Sequence, residues 1–179
     1  MTRIALPPLG ELRRVHPLAE IPPELRTRDL ARYAHHEAGH VVVLEWVGIA
    51  PESARADDCG GEVRFDPGQL DHGTAPADYD RPLAATQAAA CFHAGIVAEL
   101  IHTGHPWKGV TIRHRSGDWR KARAILTPHF GNGLAGHGFS QRLALAVLTA
   151  HWPRVQEVAG QLIARGTWRP EHGRLRSPD

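Results

Sequence analysis

A mainly helical α+β fold with one small β hairpin is what this sequence predicts, and three observations lead there. Apolar residues recur at helical spacing from Leu30 through Tyr33/Ala34, Ala38, Val41 and Leu44 toward Trp46. The run from Leu83 to Ile101 is rich in small residues and apolar nearly all round, as a central helix with close neighbours should be. A single short stretch, Glu52 to Phe65 around Asp58-Cys59-Gly60, reads as two strands and a turn. At 179 residues, 42% hydrophobic and 22% charged, the chain has the size and composition of one globular domain with a real core.

The elements follow in order. Residues 1–26 carry Pro7, Pro8, Pro17, Pro22 and Pro23 and read as an extended Pro-rich arm, either packed on the domain or mobile. The domain proper is expected over 27–168. Thr27 is placed to cap a helix running to about Trp46, with Gly48 as its stop. Val41-Val42-Val43 has poor helix propensity, so packing must hold that end. Gly61 to Phe65 is the second hairpin strand, and 66–80, rich in Pro, Gly and Asp, is a loop. Pro82 to His102 is the strong central helix. Ser116 to Leu126 is another, opened by Ser116 or Asp118. Gly131, Gly133, Gly136 and Gly138 mark an interval before a last helical pattern from Ser140 to about Ala164, which Pro153 must kink or split. Residues 169–179 read as a disordered tail.

Composition excludes several classes of function. Net charge is +2 and the arginines are dispersed, so no nucleic-acid patch is expected. Two cysteines, Cys59 and Cys91, are too few for a disulfide framework. The N-terminus lacks a signal-peptide run, and no window approaches the roughly 18 apolar residues of a membrane span. A cytoplasmic protein without membrane partners is the expectation.

The chemistry lies in Tyr33-Ala-His-His-Glu-Ala-Gly-His-Val-Val-Val43, which contains the H-E-x-x-H pattern at His36-Glu37-Ala38-Gly39-His40. On a helix, His36 and His40 share a face one turn apart and can bind one metal ion, while Glu37 reaches a water rather than the metal. With thirteen histidines in the chain, such a match arises by chance about 5% of the time, so context has to support it. A catalytic zinc needs three protein ligands and an open position; it lowers the pKa of its water to about 7 and polarises a carbonyl. Glu37 is then the general base. Glu99, Asp118, His93 and His102 are the candidates for the third ligand.

Three blocks, Tyr33–Val43, Ala94–Gly104 and Ser116–Leu126, stand in the order and at the spacing found in the protease domain of the FtsH family of zinc metallopeptidases, which this chain resembles over about 27–168. The resemblance implies Zn2+ held by His36, His40 and Asp118, with Glu37 as catalytic base. It also implies an FtsH-protease-like helical fold whose β element, matching Gly61 to Phe65, takes an extended peptide as a further strand. The implied activity is metalloendopeptidase cleavage of unfolded or flexible polypeptide. The family's membrane segment and ATPase module have no counterpart in this sequence, so a separate ATPase or adaptor becomes a possible partner. Ser116-Gly117-Asp118 lacks the asparagine usual before the aspartate, and 48–80 matches poorly.

Other residues have plainer readings. Glu99, a lone carboxylate on an apolar helix, should be paired; it can accept from a ligand histidine, replace Asp118 as ligand, or form a salt bridge. His35 points off the ligand face as a surface histidine. His93 and His102 read as core-edge or surface residues, and Trp152-Pro153 as packing at a kink. The competing function is a catalytically idle metal-binding or interaction domain, against which an intact Glu37 argues.

Overall fold

Asp29, rather than Thr27, opens the motif helix: its side chain accepts from the N–H groups of Ala31 and Arg32, and helix α1 runs Leu30–Trp46. Thr27 turns back instead, its hydroxyl donating to the Glu24 carbonyl at 3.1 Å. The computed structural model describes residues 4–70, 80–105, 107, 109–114, 116–132 and 134–170. Much of the expected 66–80 loop, Gly133 and most of the expected tail lie outside them.

Among the described residues the architecture is mainly helical with two small sheets. Strand β1 (Leu18–Glu20) precedes α1, and the hairpin β2 (Ser53–Asp57) and β3 (Gly60–Arg64) follows it. Then come α2 (Arg81–Thr103), β4 (Thr111–Arg113), α3 (Gly117–Phe130), α4 (Ala135–Ala150), α5 (Trp152–Arg165) and β5 (Thr167–Trp168). The hairpin closes through a two-residue turn, where Asp57 accepts from the Cys59 N–H at 2.8 Å. Helix α2 is the centre, with α1, α3 and α4 packed around it, and α5 lies against α1.

Alanine and glycine allow this close packing. A Cβ on Gly39 of α1 would lie 2.7 Å from both the Ala94 carbonyl oxygen and Ala98 Cβ of α2, so the two helices meet backbone to backbone. The 23 residues of α2, with a mean hydropathy of 1.3 over one 18-residue window, do meet the length and composition of a membrane span, contrary to the sequence expectation. In this fold 83% of that window is buried.

One expected break and two further differences have clear causes. The last helical pattern splits at His151, because Pro153 in the first turn of α5 cannot donate to the preceding turn. The glycine-rich interval is partly helix: Gly136 and Gly138 lie in α4, where a Cβ would meet Phe130 at 2.8 Å and Thr111 at 2.9 Å. Strands β1, β4 and β5 escaped the sequence reading because their partners are remote. β1 pairs parallel with β4, from Leu18 opposite Thr111 to Glu20 opposite Arg113, and β5 pairs with β2. On the far side of β4, Gln141 donates to the Ile112 carbonyl at 2.7 Å and accepts its N–H at 2.9 Å, so a side-chain amide does the work of a third strand.

Candidate metal centre

One turn of α1 sets His36 and His40 on a common face, their rings 4.8 Å apart. Helix α3 approaches from across the fold and brings Asp118, the second residue of its first turn, to meet them. Asp118 Oδ2 lies 3.6 Å from His36 Nε2 and 3.7 Å from His40 Nε2. These three side chains form a group that could hold a metal ion, their ligand atoms all within 4.8 Å of one another.

The donor set fits a cation. Both Nδ1 atoms are engaged elsewhere: His36 donates to Glu99 Oε1 at 2.5 Å and His40 to the Cys91 carbonyl at 2.6 Å. That leaves the Nε2 lone pairs facing the carboxylate. Tetrahedral coordination at about 2.1 Å puts ligand atoms roughly 3.4 Å apart, close to the 3.6 and 3.7 Å at which Asp118 faces the two Nε2 atoms. The electrostatics agree. Burial works against charge on His36, yet the facing carboxylates of Asp118 and Glu99 hold its pKa well above the ordinary value. Burial would raise Asp118 too, but the two histidines pull it below the usual carboxylate range. The site thus favours positive charge between its ligands.

Glu99 stands behind His36 and not among the converging atoms. Its second oxygen meets Arg32 Nη1 at 2.5 Å, with both side chains almost fully buried. Arg32 also donates to the Thr27 carbonyl and lies 4.4 Å over the Tyr33 ring. Burial alone would raise the Glu99 pKa; His36 and Arg32 lower it. Arg32 escaped the sequence reading, although its place one turn before His36 was a usable signal.

Glu37 is 5% exposed, and burial raises its pKa despite the nearby histidines. Among the described residues no hydrogen-bond donor reaches its carboxylate. It lies against β3, where a Cβ on Gly61 would come 2.5 Å from Glu37 Cγ. Both groups open on a cavity of about 790 Å³ whose apolar wall includes Tyr33, Leu44, Val63, Phe65, Phe92 and Ile96. Glu20 and Ile21, at the end of β1, also line it, so residues of the N-terminal segment help to wall the cavity.

Two histidine assignments change. His93 is no core-edge or surface residue: it is wholly buried, between His114 and His137. His35 is 8% exposed and stacks on His102 at 3.7 Å. Neither His93 nor His102 joins the ligand group. A second acid group, Asp57, Asp58 and Cys59, is exposed at the hairpin tip and serves the turn. Comparison with protein-family models, curated proteins and solved structures finds no match to this chain.

Proposed function

We propose that this chain is a zinc-dependent metalloendopeptidase of the FtsH-protease type that hydrolyses peptide bonds in unfolded or flexible polypeptides. The observation that carries the reading is the convergence of His36, His40 and Asp118 beside a buried Glu37, unpaired among the described residues, in a cavity bordered by strand β3. Two imidazoles and one carboxylate make a donor set suited to zinc. Zinc bound there supplies Lewis acidity and a water of lowered pKa.

The chain's own residues do the rest. Glu37, its pKa raised by burial, accepts the proton of the attacking water and passes it to the departing amine nitrogen. Glu99 and the Cys91 carbonyl keep the two imidazoles oriented with Nε2 toward the site. Among the described residues strand β3 pairs with β2 on one side only, and its other edge offers backbone groups to an extended substrate beside Glu37. An extended strand of substrate requires locally unfolded polypeptide, supplied as such or delivered by a separate ATPase. Cys59 and Cys91 are unpaired, in keeping with the reducing cytoplasmic setting this reading assumes.

Metal analysis together with an unstructured-peptide cleavage assay tests the proposal. Wild type should carry near-stoichiometric zinc and cleave. Glu37→Gln should retain zinc and lose hydrolysis, and Asp118→Asn should lose the metal. Full zinc in Asp118→Asn removes that residue from the ligand set. A zinc-loaded wild type inert toward a broad peptide library favours the idle binding domain.

A further inference from the structure

Behind the metal ligands lies a second, separate histidine group. His137 Nδ1 is 3.0 Å from His93 Nε2, His93 Nδ1 is 3.3 Å from His114 Nε2, and His114 Nδ1 is 2.6 Å from Ser116 Oγ. The three imidazoles are at most 3% exposed. Trp119 covers them, stacked on His137 at 4.0 Å and edge-on to the other two. Burial keeps all three neutral, with His114 and His137 each pulled down to about 4.

A neutral imidazole has one N–H donor and one acceptor nitrogen. His93 and His114 are engaged through both nitrogens, so the chain can run in only two senses. In the first, each ring carries its proton on Nε2: Ser116 donates to His114, His114 to His93, and His93 to His137. In the reverse sense every ring is protonated on Nδ1 and His114 donates to Ser116. The Ser116 end favours the first. Among the described residues its hydroxyl has no partner other than His114 Nδ1, so donating there places its proton, whereas the reverse sense leaves that proton without a protein acceptor.

Ser116 shows that its hydroxyl serves this chain. It is the N-cap of α3, yet its side chain makes no capping bond to that helix. It lines the cavity, two residues before Asp118. With its proton committed to His114, the oxygen presents only lone pairs to the cavity.

We propose that the buried chain His114–His93–His137 fixes Ser116 Oγ as a hydrogen-bond acceptor, and that this oxygen receives a backbone N–H of the polypeptide bound beside the metal ligands. The three histidines are positioning residues that act through Ser116. The substrate half of the proposal rests on the peptidase reading; the polarity of the chain does not.

Nitrogen-15 NMR of the imidazoles in the zinc-loaded full chain tests the polarity without reference to activity. All three rings should be neutral and protonated on Nε2. In His137→Phe, which keeps a ring against Trp119, His93 loses its acceptor, and His114 should convert to the Nδ1–H form two links away with zinc content unchanged. A His114 tautomer that stays put in this variant overturns the relay, as does a wild type with mixed tautomers. Kinetics on an unstructured peptide test the acceptor role. Ser116→Ala and His137→Phe should each raise KM about ten-fold, the worth of one hydrogen bond, with kcat little changed, and Ser116→Thr should restore it. Wild-type KM in Ser116→Ala overturns the substrate contact. An inert zinc-loaded wild type with coupled tautomers would instead sink the peptidase reading, and the substrate half with it.

Discussion

Glu99 shows how one buried carboxylate organises a site it does not join. Each oxygen has its own partner, Arg32 on one side and His36 on the other, and this buried charge is tolerated only because both are present. Replacing it with glutamine keeps the volume but removes the charge-assisted grip on the imidazole. Glu99→Gln should therefore weaken zinc binding about 10- to 100-fold, read by competition with a chromophoric chelator. An unchanged dissociation constant would show that the charge on Glu99 is not what orients His36. Arg32→Met should act in the same direction more weakly, since His36 keeps its bond to Glu99.

Among the elements, glycine marks where α1 must be approached. Gly95 of α2 faces the His36 ring, which a Cβ would overlap, so the ligand histidine lies flat on the backbone of the central helix. Gly39 makes the matching contact from α1, against backbone that cannot move aside. Gly39→Ala should destabilise the fold by about 1–3 kcal/mol, measured as a lower urea midpoint. Gly61 is different, because the atoms it would strike belong to Glu37 and to the Arg55 carbonyl. Gly61→Ala should keep its zinc while hydrolysis falls, since the displaced group is the base and not a ligand. Loss of metal in this variant would mean that the hairpin also supports His36 and His40. Helices α1 and α2 were legible in the sequence because their apolar periodicity is local. The start of α4 was not, since Gly136 and Gly138 have poor helix propensity and owe their helical state to neighbours at Phe130 and Thr111.

Across the whole molecule, the buried histidines tie stability to pH. Unfolded histidine titrates near 6.5, whereas His114 and His137 in the fold stay neutral down to about 4. The unfolded chain therefore binds more protons in that window. Their contribution is fully present above pH 6.5 and is lost as pH falls toward 4. Urea midpoints of the metal-free protein should show this loss, and His137→Phe should show a shallower one, having one such group fewer. Equal slopes would exclude His137 as a source. The N-terminal segment belongs to the same global account: β1 pairs with β4, and Leu25 is buried in the core. Deleting residues 1–26 should lower the urea midpoint, because it bares a strand edge and removes part of the cavity wall.

By itself the sequence determined what is local: two long helices, the hairpin, and His36, Glu37 and His40 one turn apart on a single face. A helical period and a two-residue turn are written in neighbouring residues, and so is an i, i+4 ligand pair. Only the tertiary structure decided what depends on remote chain meeting. It placed Asp118 against the two Nε2 atoms, set Glu99 and Arg32 behind His36, and paired β1 with β4. It also buried His93, His114 and His137 in one chain ending at Ser116. Single histidines in irregular or apolar segments carry no periodic signal. Contacts of this kind arise from the packing of α1, α3 and α4 around α2, and no short stretch of sequence records them.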